Sequence, residues 1–343
     1  MQKRVQDILS CLKCKNRLVY ISDSFVCKKC GIKIQSHKGI PDFKDSELYE
    51  GESDILKDVG KRFEEEDFET FLKYCDSLDM KNILPWEKRR KLRYESKNNI
   101  EKNRWIKEYR ENSIISPGQE QFRITRELIK KAQVDNKTEN VLEVGCGRGP
   151  WAIIAAESYS HIIAIDMDML SLLIAKKYCC EKMIKNISFV CCKADNMPFP
   201  DNYFDLISSE STLEHVKDQL ETIFEIKRVL KNNRVFICGV PNKLNIFTPE
   251  PHVNLRFIGF IPKRVAHYLS LYLKDLPYQD INILSYTKLK KLFSKVFSDY
   301  YKTFTSLDMS SRGIFRFLKK IPFITSIFNY LGPFNFVVAI KKE

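Results

Sequence analysis

Three alternate glycines, Gly145, Gly147 and Gly149, follow a short apolar run in the stretch NVLEVGCGRGPW. A backbone without side chains can turn sharply there and let a ligand lie directly against it. A dinucleotide, a nucleotide phosphate and a sulfonium nucleoside all fit that much, and spacing narrows the choice. A dinucleotide fingerprint places its third glycine one position later, and a P-loop needs a Lys-Ser or Lys-Thr pair after its glycines. Here Pro150 follows, so both phosphate readings are disfavoured. Carboxylates stand behind the turn. Glu143 lies in the run before the glycines, Asp166 closes the next apolar run 17 residues after Gly149, and Asp195 closes the third, in CCKADNMPFP. A carboxylate at Asp166 can accept both hydroxyls of a ribose. Asp195 can accept from an adenine amino group beside apolar Met197.

The second constellation is Cys11-x2-Cys14 and Cys27-x2-Cys30, with 12 residues between the pairs, each set in turn-like polar sequence (CLKCKN and CKKCGI). Two such knuckles bring four thiolates to one tetrahedral zinc ion, Zn2+, although the intervening loop is slightly shorter than the commonest spacing. The set leaves no spare ligand position, so the site reads as structural. A module of this size, residues 1–45, needs such a cross-link to fold.

The elements that must position these residues follow from periodicity. Residues 46–115 are highly charged, with apolar positions Phe68, Phe71, Leu72, Cys75 and Leu78 at helical spacing, and read as a helical linker or cap. ISPGQ at 115–119 reads as a break. From about residue 120 helix and strand patterns alternate, and strands this apolar require a parallel sheet covered on both faces. The rhythm is interrupted twice, at 243–286 and at 307–334, before a last strand, NFVVAIKK. Residues 116–343 therefore form one α/β domain with two insertions.

Composition sets the outer bounds. Lys and Arg number 57 against 44 Asp and Glu, a net charge of +13, which permits RNA or an acidic membrane surface as a partner as well as a plain lysine-rich surface. Eleven cysteines include the adjacent pairs Cys179-Cys180 and Cys191-Cys192 inside helix and strand patterns, which points to a reducing cytosol rather than a disulfide framework. The N-terminal MQKRVQDILSCLKC has no apolar leader segment. No run reaches the roughly 18 apolar residues of a membrane-spanning helix. A cytoplasmic protein, with the option of a peripheral position at the inner face of the membrane, is the expectation.

The succession VLEVGCGRGPW, IIAIDMDMLSLLIAKK, CKADNMPFPDNYFDLISSESTLEHVKD and RVLKNNRVFICGVPN resembles the class I S-adenosylmethionine-dependent methyltransferases, in particular the type 11 group that includes quinone-biosynthesis and small-molecule enzymes. The resemblance covers about residues 120–242, with the end strands fitting to 342. It implies a Rossmann-like α/β sheet of seven strands, the last antiparallel. It implies S-adenosyl-L-methionine as cofactor, with Gly145, Gly147 and Gly149 against the methionine part, Glu143 facing the amino group, Asp166 on the ribose, and Asp195 and Met197 at the adenine. Cys146, Met167, Asn196 and Ser209 complete the implied cofactor set. The N-terminal segment resembles zinc ribbons that partner some tRNA and release-factor methyltransferases, and ribbons fused ahead of some type 11 enzymes. It has a weaker likeness to the zinc-binding head of a ribosomal-RNA guanine methyltransferase.

Methyl transfer needs alignment of the acceptor with the methyl group, and an oxygen acceptor also needs a base. Glu210, Glu214 and His215 in SSESTLEHVKD, and His252 in PEPHVN, are the candidates. The absence of a D/N-P-P-Y/F motif after the fourth strand argues against a nucleobase amine as acceptor. The absence of a Pro-Cys pair argues against the cysteine route to cytosine C5. Six aromatics in the first insertion, Phe247, Phe257, Phe260, Tyr268, Tyr272 and Tyr278, suit an apolar or ring-shaped acceptor, or else a small core of the insertion's own. Residues 312–331 carry Arg312, Arg316, Lys319 and Lys320 on one helical face with apolar residues beside it, which suits a membrane interface or a lid. The leading expectation is methyl transfer, at oxygen, to a small-molecule or lipid-linked acceptor such as a quinone precursor or saccharide. RNA is the second choice, gripped by the ribbon and the basic 87–110 stretch with Trp86, Tyr94, Trp105 and Tyr109. A non-catalytic, partner-binding protein is the third, and the complete glycine turn argues against it.

Overall fold

A computed structural model of the chain describes residues 3–44, 52–78, 115–132, 138–274, 276–297, 301–309 and 321–342. The N-terminal module opens with a short helix, α1 (Lys3–Gln6), and builds a small antiparallel sheet from β1 (Leu18–Ile21), β2 (Ser24–Cys27), β3 (Lys33–His37) and β4 (Ile40–Pro41). Two helices follow, α2 (Glu52–Glu65) and α3 (Phe68–Ser77). Asp67 caps α3 by accepting from Thr70 N at 2.9 Å. The linker expectation thus becomes two helices in the described part; the basic 87–110 stretch lies outside the described residues.

The main domain alternates helix and strand as expected. It contains α4 (Ile115–Ala132), β5 (Asn140–Val144), α5 (Pro150–Ala155), β6 (His161–Asp166), α6 (Met169–Glu181), β7 (Ile187–Cys191), β8 (Phe204–Glu210), α7 (Gln219–Val229) and β9 (Leu230–Pro241). After the first insertion, which holds α8 (Lys263–Lys274), come α9 (Tyr286–Val296), β10 (Tyr301–Thr305), α10 (Ser306–Met309), α11 (Pro322–Leu331) and β11 (Phe334–Lys341). One expectation fails here. ISPGQ is no break but the first turn of α4, because proline lacks only an N–H that the first turn leaves unpaired anyway. Gly118 in that turn lets the helix close on α5: a Cβ there would sit 2.1 Å from the Pro150 carbonyl oxygen.

Seven strands form one sheet in the order β10-β11-β9-β8-β5-β6-β7. The pairs among β5 to β9 are parallel, and β11, the last strand, runs antiparallel to both β9 and β10. Strands β5 and β7 are buried at every residue, as helices on both faces require. β5 has β6 on one side and β8 on the other, so the chain reverses its winding there. Such a switch point opens a crevice at the carboxyl ends of the strands, where ligands bind in open α/β sheets.

The N-terminal module is docked on this sheet. Phe43 N donates to Cys191 O at 2.8 Å and Ser10 N to Pro198 O at 2.9 Å, so the module covers the edge strand β7. Its apolar residues Leu9, Leu18, Phe25 and Phe43 share one core with Met197 and Phe199. The first insertion has a separate core of Val253, Ile258, Ala266, Leu276, Tyr278, Ile281 and Ile283. Of its six aromatics only Tyr278 is buried; Phe247, Phe257, Phe260, Tyr268 and Tyr272 are exposed. In the second insertion Phe328 stacks on Phe247 with ring centroids 4.7 Å apart, and Tyr330 meets Tyr286 edge-on. Its basic residues Arg312 to Lys320 lie outside the described residues.

Candidate functional site

The glycine turn takes its shape from two contacts. Gly145 has φ +75°, and a Cβ there would lie 2.2 Å from Thr212 Oγ1, which donates to Val144 O at the end of β5. Gly147 has φ +52° with open space where its side chain would be. The first glycine thus admits a neighbouring strand's loop, and the second admits a ligand. Gly147 N donates at 2.8 Å to Asp166 Oδ2, while Asp168 N donates at 2.9 Å to Asp166 Oδ1. Two backbone donors fix this carboxylate and leave lone pairs for further hydroxyls. Burial raises its pKa to about 6, with Asp168 adding to the rise.

A cavity of about 510 Å³ opens over these groups, lined among others by Gly145, Gly147, Asp166, Met167, Asp195 and His215. Six members of the expected cofactor set do not line it. Glu143 is buried, accepts from Ala152 N at 3.1 Å and so ties α5 to β5; burial raises its pKa well above the carboxylate range. Cys146 and Ser209 are buried, a Cβ on Gly149 would point at Ala175 Cβ 3.4 Å away, and Asn196 is exposed. Met197 is buried with its N–H on Glu225 Oε1 at 2.7 Å. The lining also includes Ile165, Cys192, Lys193, Ala194, Ser211, Thr212, Val216 and Lys217, which sequence reasoning missed. Thr212 had one available signal, its place just after the β8 strand end opposite the glycines.

The four expected bases divide into two groups. Glu210, at the end of β8, lines a neighbouring cavity of about 570 Å³ with Gln121 and Arg123 of α4, Met309 and Phe336; the two cavities share Ser211. Burial raises the Glu210 pKa to about 7. The other three come together beside the first cavity. His215 Nε2 and His252 Nε2 are 3.1 Å apart, Glu214 Oε1 is 3.8 Å from His252 Nε2, and Glu250 Oε1 bonds to His252 Nδ1. Glu214 is 1% exposed, and burial raises its pKa to about 8. A third cavity, of about 350 Å³, adjoins at Lys217 and is lined by Lys217, Lys243, Lys263 and Lys288 with no acidic residue.

Residues 142–238 match the family model described as a methyltransferase domain. This segment is a methyltransferase domain by that match. Among curated relatives, the demethylmenaquinone methyltransferase of Listeria monocytogenes is 31% identical over 144 residues, 40% of this chain and 58% of the relative. The chain thus spans about half the length of the curated relatives it matches. The crystal structure of the YcgJ protein of Bacillus subtilis is similar, with 19% identity and a TM-score of 0.43 over 64% of this chain and 98% of that one. A Haemonchus contortus phosphoethanolamine N-methyltransferase in complex with S-adenosyl-L-methionine has 17% identity and a TM-score of 0.44 over 63% of this chain and 52% of that one.

Outside the matched segment, the four cysteines of the N-terminal module converge. Cys11 Sγ lies 3.5 Å from Cys30 Sγ and Cys14 Sγ 3.3 Å from Cys27 Sγ, and all four sulfurs fall within 4.8 Å of one another, with no disulfide. Each knuckle turns back on itself, Lys15 N on Cys11 O and Gly31 N on Cys27 O, both at 2.8 Å. The Cys30 N–H helps lower the Cys27 thiol pKa to about 6.

Proposed function

We propose that the chain transfers a methyl group from S-adenosyl-L-methionine to an oxygen of a lipid-borne acceptor. The observation that carries this is the cavity at the β5–β6 strand ends, where Gly147 leaves room for a ligand and Asp166 is held ready for a ribose. Asp195 lines the same cavity, and its carboxylate would accept from the adenine amino group. The sulfonium is already a good leaving group, so the protein's task is alignment. Glu210 serves as base: at a pKa of about 7 it takes the acceptor O–H proton near neutral pH. The O–CH3 bond forms as the S–CH3 bond breaks, and S-adenosylhomocysteine leaves. The acceptor enters through the Glu210 cavity, which meets the cofactor cavity at Ser211.

Two surface features support a lipid-borne acceptor. Helix α8 exposes Val265, Tyr268, Leu269 and Tyr272 as one apolar stripe, flanked by Lys263, Arg264 and Lys274. That combination suits an anionic membrane interface and adds a candidate beside 312–331, whose basic residues lie outside the described residues. The four-lysine cavity beside it suits an acidic head group. Among the described residues no helix is long and apolar enough to cross a membrane.

The four cysteines fit a structural zinc. Tetrahedral thiolates at about 2.3 Å from the ion stand about 3.8 Å apart, close to the 3.5 Å between Cys11 and Cys30 and the 3.3 Å between Cys14 and Cys27. Zinc there supplies a cross-link that holds the two knuckles together. Incubation with methyl-labelled S-adenosylmethionine and fractionated cell extract tests the reading. Label is expected in the lipid fraction as a methyl ether or ester. Label in RNA, or none transferred by protein that binds the cofactor, would overturn it.

A further inference from the structure

Glu214 poses a problem that methyl transfer does not solve. It is 1% exposed, yet neither carboxylate oxygen has a hydrogen-bond partner. A buried polar group is tolerated when it is hydrogen-bonded, and a buried carboxylate when it is paired or coordinates a metal. Close by, two imidazole nitrogens face each other at 3.1 Å, His215 Nε2 and His252 Nε2. Glu250 settles the tautomer of one of them. Its Oε1 binds His252 Nδ1, and its Oε2 accepts the backbone N–H groups of His252 and Val253, each at 2.9 Å. The proton therefore sits on His252 Nδ1, and Nε2 presents a lone pair. This is the carboxylate–histidine arrangement that orients metal-bound imidazoles.

We propose that Glu214, His215 and His252 bind a divalent transition-metal ion, of zinc or a similar borderline dication, with Glu250 as the positioning residue. The donor atoms of the three ligands all lie within 4.8 Å of one another. Tetrahedral N and O ligands at about 2.0–2.2 Å require spacings of about 3.3 Å. The His–His edge, at 3.1 Å, already meets this, and the Glu214–His252 edge, at 3.8 Å, has about half an ångström to close. Two histidines and one glutamate leave the fourth position open, the donor set of catalytic rather than structural zinc. His215 also lines the cavity that holds Gly147 and Asp166, so that position adjoins the proposed cofactor site. There the ion would take an acceptor oxygen and lower its pKa, a role that rests on the methyl-transfer reading. Binding of the ion does not rest on it.

The test is cobalt(II) titration of the full chain without S-adenosylmethionine, read by absorption and by X-ray absorption at the metal edge. Two equivalents are expected. One shows thiolate charge-transfer bands from the four cysteines, and the other shows only nitrogen and oxygen ligands. Glu214→Gln and His252→Asn should each lose the second equivalent and keep the first, and Glu250→Gln should weaken the second by about 10–100-fold. A wild-type chain that binds one equivalent, with sulfur ligands alone, overturns the proposal whether or not the variants fold. A second equivalent retained by both ligand variants overturns it too. Metal binding without any cofactor affinity would leave this site standing and remove the methyl-transfer reading instead.

Discussion

The crevice at the strand ends has two halves, and they are built on different principles. On the β5–β7 side the groups facing the cavity are backbone atoms and side chains within a few residues of three strand ends: Gly145, Gly147, Asp166 and Asp195. On the β8–β9 side they come from distant segments. Glu210 closes β8, Gln121 belongs to a helix before the sheet, and His252 reaches His215 across 37 residues of sequence. The first half is a property of the parallel sheet and its turns. The second is a property of what has been inserted into it.

The sharpest way to break this contrast is through the N-terminal module, whose backbone hydrogen bonds to the main domain fall on Cys191 and Pro198, on the side of the first half. Its core runs into Met197 and Phe199 beside β7, whereas the first insertion keeps a core of its own. Cys27→Ser should abolish zinc binding at the four-cysteine cluster, and structural zinc is worth roughly 10–16 kcal/mol in zinc-finger peptides. Zinc content should fall by one equivalent per chain, with a large drop in melting temperature and in cofactor affinity. An unchanged melting curve would mean that the ribbon and the cofactor side are independent.

The next largest effect belongs to the acceptor half. Glu210 is protonated below about pH 7, so activity at saturating cofactor should rise as pH increases through that value. Glu210→Gln should lower kcat by about 100- to 10,000-fold and flatten that limb, while calorimetry shows cofactor affinity intact. A normal pH limb in the variant would remove Glu210 as the base.

The smallest effects separate two glycines within one turn. Gly145→Ala meets Thr212 and should cost about 1–3 kcal/mol for overpacking on top of about 1–2 kcal/mol for the left-handed backbone. Gly147→Ala has only the backbone cost and places a methyl group in the cavity. Chemical denaturation should therefore rank Gly145→Ala as the less stable variant. Cofactor titration should show that Gly147→Ala loses affinity out of proportion to its stability.

The same contrast explains what the sequence made legible. Strand and helix periods, the glycine spacing and the carboxylate at each strand end are local, and they located the sheet, the turn, Asp166 and Asp195 without a structure. The paired cysteine knuckles were legible for the same reason. Proline in ISPGQ misled because it is compatible with a first helical turn as well as with a break. Met197 stands at the right place in the sequence, but its side chain turns into the core shared with the ribbon, a contact between distant segments. Glu143 is buried and accepts from Ala152 N of α5, a contact the strand pattern does not announce. The joining of Glu214, His215, Glu250 and His252 depends on the path of an insertion, which no local pattern encodes. The same holds for the exposed stripe of α8, whose aromatics suggested a lined pocket.

The central claim is that the half-crevice at β5–β7 is an S-adenosylmethionine site with Asp166 on the ribose. Titration calorimetry of wild-type and Asp166→Ala chains tests it most directly. Two hydrogen bonds to a charged acceptor, at about 1.5–3 kcal/mol each, predict saturable one-to-one binding to the wild type and at least about a 100-fold loss in the variant. No binding to the folded wild-type chain, or equal affinity in the two, would contradict the account.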